Sequence, residues 1–183
     1  MKKTILSAIL LSSLIAAPAS ARISDDEILD INAAYTWYGN SDSDNDSVSH
    51  KDTGYEVSMY RLQQQSKNKH HWLGFGSGIY KDQYNEIGFH FDAIYKYRIY
   101  FNSVVDSIEL NAKLSAQNRV YRTINNSERG FEDKRDNRFA LIPSVTANIT
   151  DHVNMEVTYL PSGWSADYTD GFEFVSVSLG YRF

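Results

Sequence analysis

The chain has 183 residues, enough for one domain, and its formal net charge of −5 gives no nucleic-acid footprint. It contains no cysteine, which excludes a disulfide framework and any cysteine-based metal site. Aromatic residues make up 14% of the chain, with 13 tyrosines and only 3 prolines. This composition suits a β-barrel with aromatic residues at both ends of its wall.

Residues 1–21 have the pattern of a secretory signal peptide. Lys2 and Lys3 form a basic start, residues 5–17 are apolar with a few serines, and Ala19-Ser20-Ala21 is a small-residue cleavage site. We therefore expect residues 22–183 to form the mature domain. No later stretch has the roughly 18 consecutive apolar residues that a transmembrane helix needs. The mature domain is expected to be either soluble in the periplasm or a membrane barrel.

Eight later segments alternate between apolar residues and polar or small ones, which is the period of a β-strand. In the fourth segment, Phe89 and Phe91 lie on one face, and His90 and Asp92 lie on the other. The predicted strands are residues 29–38, 55–62, 71–82, 87–99, 107–121, 138–150, 153–161 and 172–183.

The connections between these segments alternate in length. Long or moderate polar connections are residues 39–54, 122–137 and 163–171, and short turns are residues 65–69 and Asp151-His152. An even number of strands with long outer loops and short periplasmic turns is typical of a bacterial transmembrane barrel. We therefore predict an all-β protein, an eight-stranded antiparallel transmembrane β-barrel with both termini in the periplasm.

The closing segment supports the same fold. It ends at Phe183, with Tyr181 two residues earlier on the same apolar face. This ending resembles the last strand of outer-membrane barrels, which the barrel assembly machinery reads. The resemblance implies the cell outer membrane as the location and that machinery as a partner.

A barrel of eight strands has an interior just wide enough to be filled by side chains or to hold one small ligand, which excludes a porin. Charged residues inside it must pair, because an isolated buried charge is too costly. His90 is expected to join them. The predicted interior network is Glu56, Asp92, Lys96, Arg98, Glu109, Lys113, Glu156 and Arg182.

Four short motifs resemble the lipid A palmitoyltransferase (PagP) family of outer-membrane barrels. They are Thr36-Trp37-Tyr38, Tyr80-Lys81-Asp82-Gln83-Tyr84-Asn85, Pro143 in the sixth segment, and Thr158-Tyr159-Leu160-Pro161-Ser162-Gly163. That family moves an acyl chain from phospholipid to lipid A. The resemblance implies a monomer with outer-membrane lipids and lipopolysaccharide as partners, and without a cofactor.

The resemblance also implies a catalytic His, Asp and Ser near the outer rim, and only the Asp is present, as Asp82. Tyr38 occupies the His position and Gln83 the Ser position. Tyrosine is a poor base at neutral pH, and glutamine is not a nucleophile. The main interpretation is therefore a non-enzymatic structural or lipid-interacting barrel. The alternatives are a lipid A acyltransferase that uses Asp82 with Tyr38 or His50, and a soluble periplasmic lipid-binding barrel.

Two successive strands contain a proline, Pro143 and Pro161, and proline has no N–H to donate to a sheet. In the resembling family, a weakened seam of this kind admits a lipid tail sideways. The alternative is a bulge at Pro143 and a strand end at Pro161.

The third outer connection contains several arginines. Arg122, Arg129 and Arg135 are candidates for contact with lipopolysaccharide phosphates. Interspersed acidic residues make a self-paired loop the alternative. We predict no metal site, because the acidic stretch 42–46 lacks the Gly and Glu that complete a calcium loop.

Overall fold

A computed structural model of the chain describes residues 26–38, 53–65, 69–81, 86–101, 104–125, 130–160 and 174–183. The described part contains no helix long and apolar enough to span a membrane. It consists of eight strands: β1 (Glu27–Tyr38), β2 (Thr53–Gln64), β3 (His71–Lys81), β4 (Ile87–Tyr100), β5 (Ser107–Asn125), β6 (Gly130–Asn148), β7 (Val153–Leu160) and β8 (Phe174–Arg182).

Each strand pairs antiparallel with the next one along the chain, and β8 pairs with β1 to close the barrel. The closing register runs from Asp30 opposite Arg182 to Tyr38 opposite Phe174. The predicted eight-stranded antiparallel barrel is confirmed. Below, the terminal end is the end at which β1 begins and β8 finishes, and the loop end is the opposite one.

The alternation of the sequence decides which side chains face outward. Phe75, Ile87 and Leu114 are 60%, 64% and 56% exposed on the outer face, whereas Lys96 and Glu109 inside are 1% and 0% exposed. This is the reverse of a soluble protein, in which a contiguous apolar surface of this size is rare. The outer wall is therefore suited to lipid, and this observation argues against the soluble periplasmic alternative.

One predicted loop is wrong. Residues 122–137 were expected to connect two strands, but β5 and β6 instead pair continuously to Asn125 opposite Gly130. β5 pairs with β4 only as far as Asn118, opposite Phe89, so the β5–β6 hairpin extends past that neighbouring strand. Arg122 consequently belongs to a strand.

The register suggests why this polar segment forms strands. It places Arg119 opposite Asp136 and Arg122 opposite Asp133. Oppositely charged residues at facing positions of an antiparallel pair stabilise the pairing. An apolar alternation was the signal used for the other strands, and this segment lacks one.

The β6–β7 seam has the shortest ladder in the wall. Its register covers only five pairs, from Ser144 opposite Thr158 to Asn148 opposite Asn154. The β7–β8 register covers eight. β6 and β7 both continue beyond Ser144 and Thr158, but they do not pair with each other there. Pro143 is the first residue of β6 past the end of this ladder. Proline occurs at sheet edges and bulges because it lacks an N–H, and the end of this ladder provides such an edge.

Two apolar clusters lie inside the barrel. The first lies against β1 to β4 and contains Ile28, Tyr60, Leu62, Trp72 and Ile94. The second, here called the seam cluster, lies towards the loop end beside the β6–β7 seam. It contains Ala140, Ile142 and Leu160, with Tyr38 and Phe174 packed against it. Most of the other inward-facing residues in the described part are polar or charged.

Gly76 on β3 makes room for the Tyr60 ring on β2. A Cβ atom at position 76 would lie 2.2 Å from Tyr60 Cδ1 and 2.6 Å from the Met59 carbonyl oxygen. The Tyr60 hydroxyl donates a hydrogen bond to Asp92 at 2.7 Å, so the ring is not able to move away freely. We expect Gly76→Ala to lower the free energy of unfolding by about 1–3 kcal/mol, the usual cost of overpacking.

This change is measured by urea unfolding in detergent micelles, followed by tryptophan fluorescence. The control is Ala93→Gly, a one-methyl change on the outward face of the adjacent strand β4, expected to cost about 1 kcal/mol or less. An unchanged unfolding midpoint for Gly76→Ala would show that the Tyr60 ring is not held as described.

Candidate functional site

The centre of the interior is a group of ion pairs, here called the terminal-half ion cluster: Asp30, Lys96, Arg98, Glu109 and Arg182. Glu109 accepts hydrogen bonds from Arg98 Nε at 2.7 Å, Lys96 Nζ at 3.1 Å and Arg182 Nη2 at 3.2 Å. Asp30 accepts from Lys96 Nζ at 3.2 Å and from Arg182 Nε at 2.8 Å. Every charge in this cluster therefore has an opposite partner.

These side chains meet because each occupies an inward position of its strand. Lys96 and Arg98 are two residues apart on β4, and Arg98 is opposite Glu109 on β5. Asp30 on β1 is opposite Arg182 on β8, across the closing seam of the barrel. Removing one partner of such a buried network leaves an uncompensated charge, which is strongly destabilising.

A second group, the loop-half ion cluster, contains Glu56, His90, Asp92, Lys113 and Glu156. His90 Nδ1 lies 2.9 Å from Asp92 Oδ2. His90 Nε2 lies 3.2 Å from Glu56 Oε1, at ion-pair distance but without hydrogen-bond direction. Lys113 forms an ion pair with Glu156. Both clusters together contain all eight residues of the predicted interior network, which is confirmed.

The loop-half ion cluster borders a cavity of about 60 Å³. Pockets that bind small molecules commonly measure about 300–1,000 Å³, so this one has room only for a few waters. The titratable side chains that line it include Tyr38, Glu56, Tyr60, His90, Asp92 and Lys113. No three His, Asp or Glu residues are arranged to hold a metal ion in the part of the chain that the structure describes.

The inward positions in the middle of β4 are filled by packed side chains. Ile94 is 2% exposed and packs in the first apolar cluster. Asp92, two residues earlier on the same inward face, is held by His90 and Tyr60. The space an acyl chain would need is therefore filled by packed and ion-paired side chains.

Only one predicted catalytic residue is described. Tyr38 is half-buried at the loop end of β1, where its ring packs against Phe174 with centroids 6.2 Å apart. It also contacts the seam cluster. Asp82 and His50 lie outside the described residues, so the structure does not place the three together.

Only some of the residues predicted for lipid entry and for lipopolysaccharide contact are described by the structure. Pro143 lies at the end of the β6–β7 ladder, and Pro161 is outside the described residues. Arg135 Nη1 donates hydrogen bonds to the Ile87 carbonyl oxygen at 3.0 Å and to Asn118 Oδ1 at 2.8 Å. Arg135 thus ties β6 across β5 to the start of β4, and these partners are not the interspersed acidic residues of the self-paired alternative.

Arg122 and Arg129 provide less information. Arg122 lies in β5 at the register position opposite Asp133. Arg129 lies outside the described residues.

Two important interior residues were not predicted, although the signal for them was present. Asp30 occupies an even-numbered position of β1, and the alternation predicted for this strand turns even-numbered residues inward. Tyr60 was missed because aromatic residues were expected at the ends of the outer wall. It is instead 2% exposed inside the barrel.

Glu109→Gln is the sharpest test of the terminal-half ion cluster. The change keeps the side-chain volume but removes the charge shared by Lys96, Arg98 and Arg182. We expect the free energy of unfolding to fall by about 3–5 kcal/mol, because breaking a buried ion pair leaves uncompensated charge. Urea unfolding in detergent micelles provides the measurement.

The matched control is Glu27→Gln. Glu27 pairs with Arg61 at 2.8 Å, but the arginine side chain is 48% exposed. Exposed pairs contribute about 1 kcal/mol or less. Equal losses of unfolding free energy in the two variants would show that the buried cluster contributes no more to stability than an exposed ion pair.

Comparisons with known proteins agree with the fold. No protein-family model and no curated protein sequence matches the chain. The structure is similar to the N-terminal β-barrel domain of Pseudomonas aeruginosa OprF, with a TM-score of 0.52 and 13% identity over 85% of this chain and 97% of that one. It is also similar to Neisserial surface protein A, with a TM-score of 0.53 and 12% identity over 86% and 96%. The chain therefore has the eight-stranded fold of outer-membrane β-barrels.

Proposed function

We propose that this protein is a non-enzymatic barrel of the outer membrane that binds membrane lipid at its β6–β7 seam. The observation that carries the proposal is the filled loop half of the interior. The loop-half ion cluster and a cavity of only about 60 Å³ leave no room there, beside Tyr38, for the acyl chain that a lipid A acyltransferase would have to hold. A lipid-binding role must therefore use the wall or the rim.

The seam provides such a place on the wall. Its ladder ends at Ser144 and Thr158, below the loop end. Ile142 and Leu160 lie just beyond that point, and both face inward into the seam cluster. An acyl chain that enters between β6 and β7 would meet apolar side chains at once. The contact is van der Waals packing, because an acyl chain in the bilayer is already out of water.

The residue type at position 38 also favours a non-enzymatic protein. A base-activated acyl transfer needs a group that accepts a proton from the nucleophile. Tyr38 occupies the histidine position of the resembling family, and tyrosine is a poor base at neutral pH. The acyltransferase remains a second candidate because its motif residue Asp82 is present in the sequence.

The proposed orientation places both termini and the short turns in the periplasm, and the long connections outside. Aromatic side chains at both ends of the outer wall support a membrane-spanning position. Tyr35 and Trp37 are in contact near the loop end, and Tyr181 and Phe183 near the terminal end. Phe183 is 55% exposed, which leaves its ring accessible to the barrel assembly machinery.

The partners we propose are outer-membrane phospholipid at the seam and lipopolysaccharide at the loop end, bound by a monomeric barrel. Of the three arginines considered for lipopolysaccharide, Arg135 already has intramolecular partners. The lipopolysaccharide contact therefore depends on Arg122 and Arg129.

The absence of acyl transfer is tested by mass spectrometry of lipid A. Cells with and without the protein should give the same lipid A spectrum, both under resting conditions and after divalent cations are removed. An added or exchanged acyl chain would contradict the proposal. Loss of that chain in Asp82→Ala would then support the acyltransferase.

Binding at the seam is tested with a phospholipid that has a photoreactive group in its acyl chain. After reconstitution and illumination, peptide mass spectrometry should find labels on inward-facing Ile142 or Leu160, as well as on outward-facing Leu141. Ile94, which faces inward in the first apolar cluster, is the internal control and should stay unlabelled. Labels confined to outward-facing residues around the barrel would rule out lipid entry at the seam.

A further inference from the structure

A second cavity, here called the terminal cavity, lies at the end of the interior opposite the loop-end cavity beside the loop-half ion cluster. It measures about 470 Å³, which is within the usual range of pockets that bind small molecules. Its lining comes from several strands and turns, and includes Ile28, Lys69, Trp72, Arg98, Asp106 and Arg182. Arg98 and Arg182 also belong to the terminal-half ion cluster, which therefore forms the floor of this cavity.

The floor carries an excess of positive charge. The terminal-half ion cluster has three cations and only two carboxylates, Asp30 and Glu109. One positive charge is therefore not balanced within the cluster. Arg98 and Arg182 are each 7% exposed, and the cavity that they line is the terminal one. An anion in this cavity would balance the charge of the floor.

Each of these two arginines keeps a donor group for a ligand. Arg98 directs Nε and Nη2 at Glu109, and Arg182 directs Nε and Nη2 at Asp30. The remaining nitrogen of each guanidinium, Nη1, makes no hydrogen bond to another described residue and is not enclosed by protein atoms. Guanidinium groups with free donors favour a carboxylate or a phosphate as ligand.

The floor and the mouth of the cavity are linked by aromatic side chains. The Trp72 ring lies against the Arg98 guanidinium, with Cζ 4.7 Å from the ring centroid. Trp72 Nε1 and the Tyr100 hydroxyl both donate to the Lys69 carbonyl oxygen, at 3.0 and 3.1 Å. Lys69 has a φ of 59°, which is uncommon for a residue other than glycine, and these two bonds hold it there. A site that is ordered in advance loses less free energy when a ligand binds.

The mouth carries the opposite net charge. Asp151 and Lys69 are exposed there, and Asp106 is half-buried. None of these three side chains forms an ion pair with another residue that the structure describes. Two carboxylates against one ammonium give the mouth a net charge of about −1, so the cavity is positive at its floor and negative at its mouth.

We propose that the terminal cavity binds a short peptide with free termini. The peptide carboxylate lies at the floor, against Arg98 and Arg182, and the peptide ammonium lies at the mouth near Asp106 and Asp151. The apolar and aromatic lining, which includes Ile28 and Phe101, packs against the body of the peptide. The proposal depends neither on lipid binding at the seam nor on the orientation of the barrel in the membrane.

The barrel wall favours a ligand from water over a lipid headgroup from the bilayer. At the terminal end β1 and β8 remain bonded as far as Phe183, whose N–H donates to the Leu29 carbonyl oxygen at 2.9 Å. The β6–β7 pair is likewise bonded to its turn, where the Ile149 N–H donates to the Val153 carbonyl oxygen at 2.9 Å. A ligand therefore enters this cavity through its open mouth.

The test is an NMR titration of the ¹⁵N-labelled protein in detergent micelles with the dipeptide alanyl-phenylalanine. The dissociation constant should be about 1 mM or lower. The indole N–H signal of Trp72, which lines the cavity, should shift during the titration. The indole signal of Trp37, which is 46% exposed near the loop end, is the internal control and should stay in place.

Changes to the probe test each end of the cavity in the wild-type protein. The C-terminal amide of the dipeptide should bind about tenfold or more weakly, because it loses charge-assisted hydrogen bonds at the floor. The N-acetylated dipeptide should bind about threefold more weakly, because the carboxylates at the mouth are exposed to solvent. Glycerophosphoethanolamine, a soluble lipid headgroup, should bind more weakly than the dipeptide.

Arg98→Lys tests the floor from the protein side. The change keeps a cation beside Glu109 but removes the Nη1 donor, and should weaken dipeptide binding about tenfold without changing the affinity for the amide. Arg61→Lys is the matched control, since Arg61 pairs with Glu27 and is 48% exposed, outside the cavity. It should leave binding unchanged.

Equal affinities of the wild-type protein for the dipeptide and its amide would overturn the proposal, even where Arg98→Lys does not fold. So would the absence of binding at about 10 mM dipeptide. A folded Arg98→Lys that binds like wild type, or an equal loss in Arg61→Lys, would also contradict it. Tighter binding of glycerophosphoethanolamine would assign the cavity to a lipid headgroup instead of a peptide.

Discussion

The pairing of charges inside a narrow closed barrel is the constraint on which the rest of this structure depends. Lipid outside the wall requires apolar side chains there, so the alternation of each strand directs the polar residues inward. In an eight-stranded barrel those residues share one small space, and each buried charge needs a partner. Glu109 meets this demand by accepting from Lys96, Arg98 and Arg182.

This constraint has a functional consequence. Ion pairs and their neighbours fill most of the loop half of the interior and leave a cavity of about 60 Å³ there. Acyl chains are excluded from that space, both by its size and by the cost of burying hydrocarbon against charged groups. The short motifs at strand ends resemble an acyltransferase family, whereas the loop half of the interior has no space for the acyl chain that this chemistry requires.

The wall itself is uneven, and its weakest ladder lies beside an apolar part of the interior. β6 and β7 share five register pairs, whereas β5 and β6 remain paired to the end of their long hairpin. The seam cluster of Ala140, Ile142 and Leu160 lies next to the end of the short ladder. A polar interior with one apolar border at a weak seam is consistent with lipid binding at the wall.

Local patterns in the sequence determined most of the fold. Alternation with a period of two identifies strands and assigns their faces, because successive side chains point to opposite sides of a strand. It therefore predicted eight strands, the outward position of Phe89 and Phe91, and the inward position of Lys96 and Glu109. The same alternation also turns Asp30 inward. It failed where the apolar alternation is lost, in residues 122–125 and 130–137 of the extended hairpin.

Only the tertiary structure decided which inward charges meet, how much space they leave, and where the seam weakens. Asp30 and Arg182 are 152 residues apart in sequence and pair because β8 closes on β1 in one register. Alternation assigns a face but does not set the stagger between strands, and a shift by two residues preserves every face while changing every partner. The size of the loop-end cavity, the partners of Lys96 and the end of the ladder beside Pro143 all follow from that stagger.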